Sequence, residues 1–102
     1  MEIRKDDYGY DITFNVKKPD NSIEDLSSAT DVKFLVADGE NFRNIVSGTC
    51  EITDAPNGKC KYTVQAEDFR KAGNYIGALK ITKTESIVTT KDIAVTVKSS
   101  LE

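Results

Sequence analysis

The sequence has no histidine and no tryptophan, and only two cysteines among its 102 residues. Each scarcity excludes a class of chemistry. Without histidine there is no Ser-His-Asp or Cys-His arrangement, no imidazole acid or base, and no histidine ligand for a metal. Two cysteines cannot form a four-cysteine zinc site, and a mixed Cys/His site is equally closed. There is no excess of positive charge: 14 Lys and Arg face 17 Asp and Glu, a formal net charge of −3. A nucleic-acid binder usually carries a basic stripe instead. No apolar run approaches the roughly 18–20 residues of a membrane span. The opening Met1-Glu2-Ile3-Arg4-Lys5-Asp6-Asp7 is charged and lacks the apolar segment of a signal peptide, which points to synthesis in the cytoplasm.

What is present is a period of two. Tyr10, Ile12, Phe14 and Val16 alternate with Asp11, Thr13, Asn15 and Lys17, the pattern of a half-buried strand. Lys18-Pro19-Asp20-Asn21-Ser22 supplies turn chemistry. Val32, Phe34 and Val36 repeat the alternation up to Asp38-Gly39. Cys50 with Ile52 and then Cys60, Tyr62 and Val64 carry it on. Tyr75, Gly77, Leu79 and Ile81 give a fifth run, and Ile93, Val95 and Val97 a sixth that Ile87-Val88 begins early. Ile3 marks a short edge strand. The stretches 25–29 and 66–71 could each hold one or two helical turns, too short to stand alone, and so read as corners. About seven short strands separated by turn signals predict an antiparallel β-sandwich or barrel.

Length sets one domain, since a chain this size buries roughly two-thirds of its extended surface and leaves little wall for a deep pocket. Residues 1–98 are assigned to that domain and 99–102 to a flexible tail. The terminal Leu101-Glu102 has the form of a cloning scar, which leads us to expect a natural chain continuing past Ser100.

Asp54-Ala55-Pro56-Asn57-Gly58-Lys59 reads as a type I turn closed by a glycine bulge. That register pairs Ala55 with Lys59, Ile52 with Tyr62 and Cys50 with Val64. It holds Cys50 about 13 Å from Cys60 along the ladder, beyond disulfide reach. The two are therefore expected as free, inward-facing thiols acting as small hydrophobes, which suits a reducing compartment.

The acidic clusters Asp6-Asp7, Asp20 with Glu24-Asp25, and Asp38-Gly39-Glu40-Asn41 stand at strand ends. They could gather round calcium, but none has EF-hand spacing, and loop acids usually serve as solvated turn formers. Nothing supplies the groove that a glycosidase carboxylate pair requires. Lys59, Lys61, Lys80, Lys83 and Lys91 alternate with apolar residues and read as the wet face of a sheet. A glycan-binding face would draw on Tyr8, Tyr10 and Phe42. No catalytic, cofactor-binding or metal-ligating residue is assigned, and no cofactor is expected.

Ala72-Gly73-Asn74-Tyr75 is the most pointed local signal. A Gly-x-Tyr entering a long strand after a tight corner matches the tyrosine corner of immunoglobulin-like sandwiches, with its hydroxyl returning to backbone near Phe69. Gly77 stands where antibody-type domains place a strand cysteine, and tryptophan is missing, so the match is to the architecture.

The order of signals carries a resemblance. Asp25-Leu26-Ser27-Ser28-Ala29 leads into Val32-Lys33-Phe34. Gly48-Thr49-Cys50-Glu51-Ile52-Thr53-Asp54-Ala55 is followed by Gly58-Lys59-Cys60-Lys61-Tyr62. Ala72-Gly73-Asn74-Tyr75 comes next, and Val88-Thr89-Thr90 precedes Ile93-Ala94-Val95-Thr96-Val97. This succession resembles the N-terminal immunoglobulin-like domain of phage baseplate upper proteins, from tailed phages and prophages of Gram-positive bacteria. The resemblance implies a non-catalytic module that anchors a longer host-recognition protein to the tail baseplate. Its implied partners are other tail proteins and further copies of itself, with neither nucleic acid nor membrane involved. Its implied location is the virion, after synthesis in the host cytoplasm. The alternative is a surface-adhesin or carbohydrate-binding sandwich module. An enzyme would need a nucleophile–base pair that the sequence does not offer.

Overall fold

In a computed structural model, residues 1–38, 44–90 and 92–99 are described. Nine strands run through them: β1 (Glu2–Arg4), β2 (Asp11–Asn15), β3 (Ala29–Asp38), β4 (Asn44–Thr49), β5 (Glu51–Asp54), β6 (Lys59–Thr63), β7 (Gly73–Lys83), β8 (Ile87–Thr89) and β9 (Ile93–Lys98). They form two sheets. The larger has the order β1-β9-β7-β3-β4, with β8 also paired to β7, and the smaller has the order β2-β6-β5. β1 lies parallel to β9, while the other pairings are antiparallel. The arrangement is an immunoglobulin-like sandwich.

Alternation decides which faces meet. Phe14 and Tyr62 from the smaller sheet, and Val32, Phe34, Val36, Tyr75, Leu79, Ile81, Val95 and Val97 from the larger, are buried between the layers. Phe34 is fully enclosed. Its ring lies 5.1 Å from Phe14 and 5.4 Å from Tyr62, both tilted. Offset, tilted rings are the favoured contact of two quadrupoles. Antibody domains fill this region with an inter-sheet disulfide against a tryptophan. Here Gly77 leaves room instead, since a Cβ on it would stand 3.3 Å from the Phe34 ring and 3.2 Å from Val95 Cγ2. Three aromatic rings thus occupy the centre of the domain.

The tyrosine corner is present. Tyr75 Oη donates to the carbonyl of Lys71 at 2.7 Å, two residues further along than the expected Phe69. Phe69 instead buries its ring in the core and gives its carbonyl to the Asp6 N–H. Neither corner is helical. The short helix among the described residues is a 3-10 turn at Ala55–Asn57, inside the hairpin.

That hairpin corrects the expected register. The turn is as read, with Gly58 left-handed (φ +68°) and its N–H on Ala55 O. The ladder, however, pairs Asp54 with Lys59, Ile52 with Cys60 and Glu51 with Lys61, with a bulge between Ile52 and Asp54. Ala55 does not join the ladder because its carbonyl accepts from both Gly58 and Leu26. The turn displaces β5 by one residue relative to β6, and the bulge by one more. Ile52 therefore faces Cys60 where Tyr62 was expected.

β4 is a strand that the alternation did not reveal. Val46 is its one buried hydrophobic side chain, and Gly48 interrupts the pattern. A single residue, Cys50, separates it from β5. Cys50 N–H still bonds Val32 O in the larger sheet, and the next residue already pairs in the smaller one. The chain crosses between the layers there.

Candidate interaction surface

The crossover creates a cleft on one flank of the sandwich. Gly48 brings backbone against the Tyr62 ring so closely that a Cβ would stand 2.1 Å from Cε1. The ring forms part of a cavity of about 510 Å³ between β4 and the β5–β6 face. Tyr62 Oη donates to Asp68 Oδ2 at 2.5 Å, and the Gln65 N–H donates to the same oxygen at 2.8 Å. Burial, and then that bond, push the Tyr62 phenol well above its ordinary pKa. Lys61, on the rim, lies 3.2 Å from Glu51 and 3.5 Å from Asp11. Asp11 also accepts from Thr63 Oγ1, the main cause of its lowered pKa. The phenol is therefore engaged with Asp68, and the ammonium with Glu51 and Asp11.

The opposite flank is an exposed sheet edge. Lys83 N–H bonds Ser86 O, and Thr90 N–H bonds Leu79 O. Antiparallel alternation then aims the backbone groups of Ile87 and Thr89 away from β7, where no strand follows among the described residues. Ile87 is 61% exposed. A groove of about 180 Å³ beside this edge is lined by Val16, Lys17, Pro19, Ile81, Val88 and Thr89. Edges of this kind accept a further strand from a partner.

Among the described residues no three of His, Cys, Asp and Glu are grouped to hold a metal ion. Asp20 accepts from the Ser22 hydroxyl and N–H, and Asp25 from the Ser27 N–H. The side chain and then the N–H of Ser22 lower the Asp20 pKa, and those of Ser27 lower that of Asp25, in the manner of turn-forming carboxylates. Glu24 departs from the solvated reading. It is 7% exposed and its Oε1 lies 3.6 Å from Lys83 Nζ, so Lys83 is not simply a wet-face lysine. Lys59 and Lys80 are exposed as expected, whereas Lys91 lies outside the described residues. Tyr8 (64%) and Tyr10 (38%) are exposed, and Phe42, like residues 39–41, lies outside the described set.

Sequence reasoning missed the Tyr62–Asp68 bond and the β4 edge. Gly48 was the available signal for both, since a glycine on a strand often marks a close backbone approach.

Both cysteines are free and buried, and both face inward. The corrected register sets them diagonally across the ladder. Interaction with Cys60, and then burial, raise the pKa of Cys50, while the same interaction lowers that of Cys60.

The family model described as BppU N-terminal domain matches residues 3–102. No curated protein matches the chain. Among solved structures, the crystal structure of CopC from Methylosinus trichosporium OB3b is similar, with a TM-score of 0.59 and 9% identity over 99% of this chain and 87% of that one. At that identity the likeness concerns the fold. No helix among the described residues is long and apolar enough to cross a membrane.

Proposed function

The chain belongs to the BppU N-terminal domain family, that of phage baseplate upper proteins, and from that premise we propose that it anchors a host-recognition protein to the tail baseplate. The module is non-catalytic in this reading. The observation that carries it is the family match from residue 3 to residue 102, which spans both sheets. The flanks support it physically. The chemistry-bearing groups of the larger cleft are spent on one another, and the edge at β8 offers backbone to a partner. Contacts of that type build assemblies rather than turn over substrates.

The test is mass spectrometry of purified tailed particles induced from the source organism. Peptides of this chain should co-purify at the stoichiometry of a structural component. Particles that form without the chain would overturn the assignment, and a glycan or cell-surface ligand screen would then follow.

A further inference from the structure

We propose that Cys50 and Cys60 form an oxidisable pair that closes an intramolecular disulfide between the layer crossover and the smaller sheet. The argument begins with the ladder. Cys60 lies opposite Ile52, and Cys50 precedes Ile52 by two residues on the same face. Diagonal neighbours of this kind have Cα atoms about 7–8 Å apart and Cβ atoms somewhat closer, while a disulfide accepts Cα separations up to about 7 Å. The remaining gap is small.

The place where it can close is also identifiable. Cys50 belongs to neither β4 nor β5. It stands alone at the crossover, held to the larger sheet by its N–H on Val32 O, so a small shift there disturbs one backbone bond and no paired residue of either ladder. Both thiols are free, buried and turned to the same interior, and their interaction lowers the pKa of Cys60. Histidine is absent and no third cysteine exists to form a metal site, so oxidation is the chemistry open to the pair.

The oxidant class is a peroxide. The Cys60 thiolate attacks one oxygen of hydrogen peroxide, the O–O bond breaks, and the displaced hydroxide takes up the proton that Cys60 released. Cys60 is then a sulfenic acid. Cys50 attacks that sulfur, forms the S–S bond and expels hydroxide, which leaves as water with the Cys50 proton. Two thiols and one peroxide thus give one disulfide and two waters. The pair stands independently of the baseplate role. Within that role it would pass from dithiol to disulfide as particles leave a reducing cytoplasm.

The experiment treats the folded, reduced chain with hydrogen peroxide under native conditions and records intact mass. The expected product is a monomer lighter by two hydrogens and restored by a phosphine reductant. Trypsin without reduction should release fragment 44–59 joined to the dipeptide Cys60-Lys61. The closed loop should raise the melting temperature by about 10 °C. Cys50→Ser and Cys60→Ser should each abolish the cross-link, but the wild-type mass does not depend on whether those variants fold. Oxygen addition at either cysteine without a cross-link would overturn the proposal. So would intermolecular dimers, or oxidation confined to the denatured chain.

Discussion

The β3–β7 ladder and the β5–β6 hairpin solve the same problem, register, by different means. β3 and β7 pair from Ala29 with Lys83 to Asp38 with Tyr75, and the buried members Val32, Phe34, Leu79 and Ile81 sit face to face. Slipping that ladder by one residue would turn every one of them to the wrong side. β5 and β6 share only a few pairs and contain a bulge. Their register is fixed at the turn, where Ala55 O binds Leu26 and Gly58 adopts a left-handed conformation. Side-chain burial aligns the first pair, and backbone geometry aligns the second.

The largest effect should come from the first mechanism. Phe34→Ala removes the ring that touches both Phe14 and Tyr62, and should cost about 3–5 kcal/mol in denaturant unfolding. An unchanged midpoint would show that the ladder does not depend on its core aromatics.

Gly58→Ala should come next, at about 2–3 kcal/mol, because the residue is left-handed. Its Cβ would also stand 2.6 Å from the Glu24 carbonyl oxygen. The informative control is Ile52→Ala, which removes a half-buried side chain from the same hairpin. If Ile52→Ala costs more than Gly58→Ala, side chains set the hairpin register after all.

Tyr62→Phe should cost about 1–2 kcal/mol through loss of the bond to Asp68. It also carries a pH signature. The folded-state pKa of Tyr62 is raised, so its contribution is complete below the unfolded value near 10 and is lost as pH rises beyond it. Thermal unfolding between pH 8 and 11 should show a shallower alkaline decline in the variant. Parallel declines would assign the alkaline loss to other groups.

The smallest effect belongs to Lys61→Met. Lys61 bridges Asp11 and Glu51 at the surface, where screening and side-chain entropy offset the attraction. Its unfolding midpoint should match wild type at moderate salt, measured alongside the Tyr62 variant.

The contrast also explains what the sequence could tell. Phe14, Phe34, Tyr75, Leu79 and Val95 were legible as core because period-two alternation is a local property of each strand. The tyrosine corner was legible because Gly73 and Tyr75 form a local motif. The hairpin register was not, since it depends on a bond from Leu26, distant in sequence, to Ala55. β4 escaped because an edge strand with one buried hydrophobic side chain barely alternates. The Glu24–Lys83 pair was hidden for a related reason: a glutamate in an acidic loop cluster reads as solvated until the fold covers it. Fold and family were thus readable, whereas the cleft needed the three-dimensional arrangement.

The most direct test of a docked module is amide hydrogen exchange on the isolated chain and on the same chain within purified tails. The account predicts unchanged protection along β3 and β7 and added protection on at least one edge strand, β4, β5 or β8. Identical exchange at every edge amide in the two states would contradict it.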